Sequence, residues 1–170
     1  MSRPSEPGRP EPLAAQWGWV LPPRPGAMLV DKHLLLAAAA AVPAWLLLAT
    51  QFGAAMAAPA TLRGWLAFVL LRPLLEELVF RGIVQGELLR WTRGRMAGPL
   101  TRANLATTVL FVAAHLLAQP PAWALAVAAP SLVLGHVRDR LRSVWPAVVL
   151  HAIYNGGFAL AAMWARPGAA

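Results

Sequence analysis

Glu76, Glu77 and Arg81 lie in a mostly apolar run that begins near Trp65. Ionisable groups at membrane depth are costly and are normally turned toward a protein interior or a wet cavity, where they have partners. Glu77 and Arg81 are four residues apart, hence on one helical face, and can pair directly; Gln85 extends that stripe by another turn. Glu76 is rotated by about 100° from Glu77 on an ideal helix, so it faces a different neighbour. One carboxylate is thus held by its arginine while the other is free for chemistry. Two further patterns stand out against the apolar background: His115 follows Phe111 by four residues, and His151 precedes Asn155 by four. Hydrolysis of a peptide bond needs a base for water, a donor to the leaving amine and hydrogen-bond donors aimed at the oxyanion. A glutamate, two histidines and an asparagine can supply that set. Glu76, His115 and His151 could instead hold Zn²⁺ with an open position for water, although the His-Glu-x-x-His pattern of soluble zinc proteases is absent. No serine-hydrolase elbow occurs, since Ser131 and Ser143 lie away from these patterns. A plainer reading makes the charges an ion pair that only locks helices and His115 a packing residue. Asn155-Gly156-Gly157 could also cap a helix, but the apolar run continues to Trp164.

The elements that must position these residues are all helices. The 170-residue chain is 58% hydrophobic and 13% charged, about half the charge of an ordinary soluble domain. Cysteine is absent, which removes disulfides and thiolate metal sites. Tryptophan (8) outnumbers tyrosine (1), and several lie at the ends of apolar runs, as in an interfacial belt. Five spans are expected, at about 33–52, 61–89, 103–118, 121–136 and 144–164, each near the length a bilayer crossing needs. Pro43 can kink the first, and the second is long enough to tilt or to project from the membrane. The expected fold is therefore an all-α polytopic bundle with a polar site between its helices. Residues 1–27, rich in Pro, Gly and Arg, read as a disordered cytoplasmic leader. They lack the apolar core and cleavage site of a signal peptide, and residues 28–170 form one domain.

Charge asymmetry gives an orientation. With five spans and a cytoplasmic N-terminus, the inside segments carry Arg3, Arg9, Arg24, Lys32, Arg90, Arg93, Arg95, Arg102, Arg138, Arg140 and Arg142. The outside carries only Arg166 clearly and Arg63 marginally, in agreement with the positive-inside rule. The net charge of +8 is spread between apolar segments rather than gathered on one solvated face, which argues against nucleic acid as a partner. At about 1.5 Å per residue, Glu76 lies about 20 Å from the cytoplasmic helix end, His115 about 18 Å, Asn155 about 16 Å and His151 about 10 Å. His33 and His136 sit near span ends, where interfacial solvation is expected. Arg72 is open to two roles, snorkelling or contact with a substrate carboxylate.

The three patterns, in this order on apolar helices, resemble the CAAX-protease and bacteriocin-processing family of intramembrane proteases, also called the CPBP or Abi family. That family carries Glu-Glu-x-x-x-Arg, then Phe-x-x-x-His, then His-x-x-x-Asn or Asp, and the resemblance covers about residues 61–164. It implies an intramembrane endopeptidase of glutamic type acting on a membrane-anchored or prenylated protein or peptide. Glu76 and His115 would activate water, His151 and Asn155 would stabilise the oxyanion, and Glu77 with Arg81 would brace the site. Within the family both metal-dependent and glutamate-dependent labels have been used, so Zn²⁺ stays open. The short chain is similar to compact bacterial members, some of them myxosortase-like sorting enzymes that trim C-terminal anchors, which implies a bacterial inner membrane. The alternative is a non-catalytic membrane immunity or scaffold protein. An ion or proton carrier would need a continuous polar path, and the sequence offers one cluster.

Overall fold

A computed structural model describes residues 12–22, 26 and 30–165. Arg3, Arg9, Arg24 and Arg166 of the charge asymmetry lie outside the described residues, as does the rest of the leader. After a single turn, α1 (Leu13–Gln16), the first long helix is α2 (Lys32–Phe52). Asp31 caps α2 by accepting the N–H groups of His33 at 3.0 Å and Leu34 at 3.1 Å. The chain then enters one continuous helical run, α3 (62–92), capped by Thr61, whose hydroxyl accepts from Gly64 N–H. A short antiparallel hairpin, β1 (Met96–Ala97) and β2 (Leu100–Thr101), leads into α4 (Arg102–Leu116). α5 (Pro121–Ala126), α6 (Ala128–Leu141) and α7 (Trp145–Trp164) complete the bundle.

α3 is not uniformly wound. It is α-helical at Leu62–Leu66, Arg72–Glu77 and Gln85–Thr92, and π-helical at Ala67–Leu71 and Leu78–Val84. The first wide turn has a local cause. Arg72 N–H reaches back to the Ala67 carbonyl, and the next residue, Pro73, has no N–H to offer. The Phe68 carbonyl is left for a partner outside the helix. π segments of this kind are rare and collect at functional sites.

Two of the helices, α2 with its following 3₁₀ turn (Lys32–Ala55) and α7, are long and apolar enough to cross a membrane. A soluble core helix could pass the same test, but it would be buried. The apolar stretch of α2 is only 11% buried and that of α7 28%, and Leu35, Leu36, Val42, Leu46 and Leu47 point outward from α2. The expected fourth span is split at Val127, because Pro130 cannot serve the carbonyl of Ala126. α4, at about 22 Å, is shorter than the hydrocarbon core. The described helices therefore yield two spans by length and composition, against the five expected.

Small residues let α2 approach α7, as is usual between helices in lipid. Ala37 and Ala38 lie against the cluster of Leu34, Leu134, Val137, Ala147 and Leu150, and Tyr154 O–H donates to the Ala37 carbonyl. Farther along, Ala49 and Met56 meet Ala162, with Trp123 and Phe158 beside them. At Gly157 an added Cβ would collide with the Trp45 indole.

Residues 12–22, part of the sequence-defined leader, are docked on the bundle. Gly18, at φ +70°, accepts Val144 N–H at 2.9 Å, and Ser143 Oγ donates to the Val20 carbonyl at 2.8 Å. Gln16 Nε2 and Trp17 Nε1 both donate to Glu87. The seat is Gly82-x-x-x-Gly86 of α3, where an added Cβ would strike Trp19 at Gly82 and press tightly on Gln16 and Trp17 at Gly86.

Two outcomes follow from this packing. Gly157→Val should lower stability by about 1–3 kcal/mol through overpacking, and Trp45→Ala in the same chain should recover part of the loss in thermal melts in detergent. Equal melting of wild type and Gly157→Val would show that α2 and α7 do not meet there. Burial pushes the Asp31 carboxyl up, but the Leu34 N–H, the Arg140 guanidinium at 2.9 Å and the His33 N–H outweigh it and hold it below its ordinary value of 3.8. A carboxyl depressed in the folded state stabilises above its unfolded pKa and loses that contribution as pH falls through the folded one. Asp31→Asn should therefore melt below wild type at neutral pH, with the gap closing on acidification past that ordinary value.

Candidate active site

The buried stripe of α3 is matched by a stripe of α6. Arg81 Nη2 donates to the Ser131 carbonyl at 3.1 Å and to Ser131 Oγ at 2.8 Å. Gln85 Nε2 donates to the Gly135 carbonyl at 3.0 Å and to Asp139 Oδ1 at 2.7 Å. Ser131, Gly135 and Asp139 repeat every four residues, as do Glu77, Arg81 and Gln85, so two helical faces zip together. α4 closes the flank. Thr108 and Ser131 share a hydroxyl hydrogen bond, Asn104 Nδ2 donates to the Leu132 carbonyl, and Thr101 Oγ1 donates to Asp139 Oδ2. The second π segment contributes as the first does. Gln85 N–H, which would serve the Arg81 carbonyl in an α-helix, is shared by the Gly82 and Phe80 carbonyls, and Arg138 Nε donates to the Arg81 carbonyl at 3.0 Å.

Glu77 and Arg81 are fully buried, with Arg81 Nε 3.2 Å from Glu77 Oε2 and the guanidinium carbon 4.5 Å from the Phe111 ring centre. The other carboxylate oxygen, Glu77 Oε1, lies 2.8 Å from His151 Nδ1. A carboxylate accepts, so Nδ1 carries the hydrogen and Nε2 is left to face elsewhere. It faces Glu76, whose Oε2 is 3.8 Å away, beyond direct hydrogen bonding. The Glu76 side chain remains 29% exposed. Two neighbouring carboxylates thus bracket one imidazole, one locked and one accessible.

The structure therefore joins Glu76, Glu77, Arg81 and His151. Asn155 lies one turn beyond His151 on α7, and its Nδ2 donates to the Phe68 carbonyl at 2.8 Å, the carbonyl left over beside Pro73. Among the described residues nothing bonds its second amide hydrogen or its Oδ1. His115 stands apart. Its Nδ1 is 2.9 Å from the Phe111 carbonyl one turn back, its ring stacks on Phe111, and no hydrogen bond or ion pair among the described residues joins it to Glu76. The Phe111 ring is 6.4 Å from that of His151, so Phe111 is the shared neighbour of both histidines. A zinc set would bring Glu76, His115 and His151 to about 2 Å from one ion. Among the described residues no three such side chains converge in that way, so this arrangement does not fit the metal.

Several participants escaped the sequence reading. Ser131 lies away from the sequence patterns and Arg138 reads from sequence only as a loop charge, yet both are buried. The four-residue repeat Ser131-Gly135-Asp139 was the available signal. His33 and His136, expected to be solvated separately, lie 3.2 Å apart, nitrogen to nitrogen. Arg72 is exposed and lines a cavity of about 370 Å³ with Ala57, Ala58, Pro59, Gly64, Ala67 and Phe68. Its walls are mainly apolar, Arg72 is the charged group among them, and it adjoins the carbonyl that anchors Asn155.

Residues 58–157 match the family model described as type II CAAX prenyl endopeptidase Rce1-like. The match covers more than half of the chain, and the chain belongs to that family. The family is one of intramembrane proteases, so the chain is a membrane protein of protease type whose substrate is a protein in the membrane. No curated protein and no solved structure matches it.

Breaking the buried pair should be far more costly than altering its neighbour. Glu77→Gln leaves Arg81 without compensation and should cost about 3–5 kcal/mol. It should appear as lost folded protein in membranes. Glu76→Gln, outside the pair, should cost less than about 1 kcal/mol. Equal losses from the two would contradict the division between locked and accessible carboxylate.

Proposed function

We propose that this member of the Rce1-like family is an intramembrane endopeptidase that hydrolyses a peptide bond of a membrane-anchored protein with a water activated by Glu76. The observation that carries the reading is the unequal use of two adjacent carboxylates. Glu77 is spent on Arg81 and His151 with no exposure, whereas Glu76 is accessible and meets the far edge of the same imidazole. A cluster that only held helices together would have no use for Glu76, which counts against the scaffold or immunity alternative.

In the proposed reaction Glu76 accepts the proton of a water whose oxygen attacks the scissile carbonyl. His151 Nε2, its ring oriented by Glu77, accepts the second hydrogen bond of that water. The free amide hydrogen of Asn155 donates to the oxyanion, and the proton held by Glu76 passes to the leaving nitrogen. His115, fixed through Nδ1, has Nε2 left to assist that transfer. The assignment brings His151 to the water, a role the resemblance gave to His115, because His151 is the histidine facing Glu76.

The finer identity is part of the same proposal. The 370 Å³ cavity suits an apolar peptide stretch, with Arg72 available for a carboxylate. A compact sorting enzyme of the myxosortase-like type would meet such a segment at the C-terminal anchor of its substrate. The membrane would be a bacterial inner membrane and the N-terminus cytoplasmic. The protease domain would be 28–170, its motif-bearing core 61–164, with five crossings.

Co-expression with candidate anchored proteins tests the reading. Glu76→Gln should cut product formation by about 10²–10⁴-fold, the usual worth of a general base, at membrane levels equal to wild type. His151→Ala should fall similarly. Unchanged cleavage by Glu76→Gln would sink the mechanism.

A further inference from the structure

The junction between α3 and α4 holds a cavity of about 440 Å³ lined by Trp91, Thr92, Arg93, Arg95 and Arg102. Three arginines are among the residues that line this one cavity, and no carboxylate among the described residues pairs with any of them. The described acidic side chains outside the candidate active site are engaged elsewhere: Glu87 with Arg90, Asp139 with Arg138, and Asp31 with Arg140. Gathering like charges is unfavourable unless an anion offsets them.

The backbone that carries these arginines is fixed rather than trailing. Arg93 ends α3 in the left-handed region at φ 51°, and Arg95 N–H donates to the Thr92 carbonyl at 3.0 Å. Arg102 N–H donates to the Arg95 carbonyl at 2.9 Å, so the two arginines are tied across the β1–β2 hairpin. Gly94 and Gly98, both at positive φ, make the tight turns. Trp91 is 71% exposed beside the cavity, as an amphipathic ring at headgroup depth would be. Arginine is the side chain suited to phosphate, because its planar fork donates two parallel hydrogen bonds. Basic pockets between membrane helices on the cytoplasmic side are known to take phosphate-bearing headgroups.

We infer that this cavity binds the phosphate of an anionic phospholipid headgroup. The inference does not rest on the protease reading. A headgroup held there would join the end of α3, which bears Glu76, to the start of α4, which bears His115.

The test uses the full chain, purified in detergent and reconstituted in nanodiscs of phosphatidylcholine with or without phosphatidylglycerol. Native mass spectrometry should show phosphatidylglycerol retained in preference to phosphatidylcholine, and added phosphatidylglycerol should raise the melting temperature. Replacing Arg93, Arg95 and Arg102 by Gln should weaken apparent phosphatidylglycerol affinity by about fivefold per arginine and about 100-fold together. Inorganic phosphate at equal concentration should give no shift. Equal retention of the two lipids by wild type, or wild-type affinity in the triple variant, would overturn the inference. A shift by inorganic phosphate as large as that by the lipid would overturn the lipid assignment and make the cavity a soluble-phosphate site. The wild-type comparison of lipids needs no variant, so poor folding of the triple variant leaves the test intact.

Discussion

The ion pair of Glu77 and Arg81 is the constraint on which the rest of the bundle depends. Both groups are removed from solvent, and burying two charges is expensive unless each finds a close set of partners. Glu77 divides its oxygens between Arg81 on its own helix and His151 on α7. Arg81 divides its donors between Glu77 and both oxygens of Ser131 on α6, while its flat face lies over Phe111 on α4. One pair of residues thereby sets the mutual placement of four helices. Satisfaction is incomplete. Among the described residues, Arg81 Nε and Nη1 and Glu77 Oε2 have no hydrogen-bond partner of good geometry, so charge attraction and the aromatic face hold the pair more than directed bonds do. That raises the penalty for losing either member and ties the orientation of His151 to the integrity of Arg81.

The π segments of α3 are the second device, and they work by releasing carbonyls. A regular helix consumes its own backbone acceptors and offers side chains alone to its neighbours. In α3 the wide turns divert two N–H donors, those of Arg72 and Gln85, from the carbonyls they would serve in a regular α-helix. The Phe68 carbonyl then takes Asn155 and the Arg81 carbonyl takes Arg138. Both bonds cross to another helix, and both lie within a turn or two of the glutamates. Pro73 keeps the Phe68 carbonyl free within the first wide turn, since the N–H that the π pattern would send to it is missing. Asn155 is consequently half a structural residue, with one amide hydrogen in the bundle and the other left over.

Spacing made part of this legible. The pairing of Glu77 with Arg81, the extension to Gln85 and the different facing of Glu76 all follow from helical periodicity, which local geometry preserves. The depth estimate was less informative, because it put His151 about 10 Å above Glu76, whereas the two side chains lie 3.8 Å apart. An ideal-helix ruler cannot register the wide turn at Leu78–Val84, between Glu76 and the helix end from which its depth is measured, and it rests on helix ends set by hydropathy alone. The break at Val127 was hidden for a related reason: apolar composition continues through it, and only the offset between Pro130 and Ala126 marks it. The docking of residues 12–22 was invisible because its seat is made of absences. Gly82 and Gly86 show no signal in α3 until Trp17 and Trp19 occupy the space their missing side chains leave.

Arg138 shows how one charge can answer to two demands. As a basic residue between apolar segments it counts toward the orientation expected of the chain from charge asymmetry. Yet its side chain is almost fully buried, and each nitrogen of the guanidinium has a distinct partner. Nε donates to the Arg81 carbonyl in the wide turn of α3, Nη2 donates to the Gln16 carbonyl in the docked N-terminal segment, and Nη1 lies 3.5 Å from Asp139. Asp139 in turn accepts from Gln85 and Thr101. A displacement of the N-terminal segment would therefore be felt at the residue that orients Glu77, through a single guanidinium and without passing through solvent. A lysine could keep the topological charge but could not span three such partners, since its point charge lacks the planar fork. The requirement for arginine at this position comes from the architecture of the site, and the charge expected from the positive-inside pattern is met by the same choice.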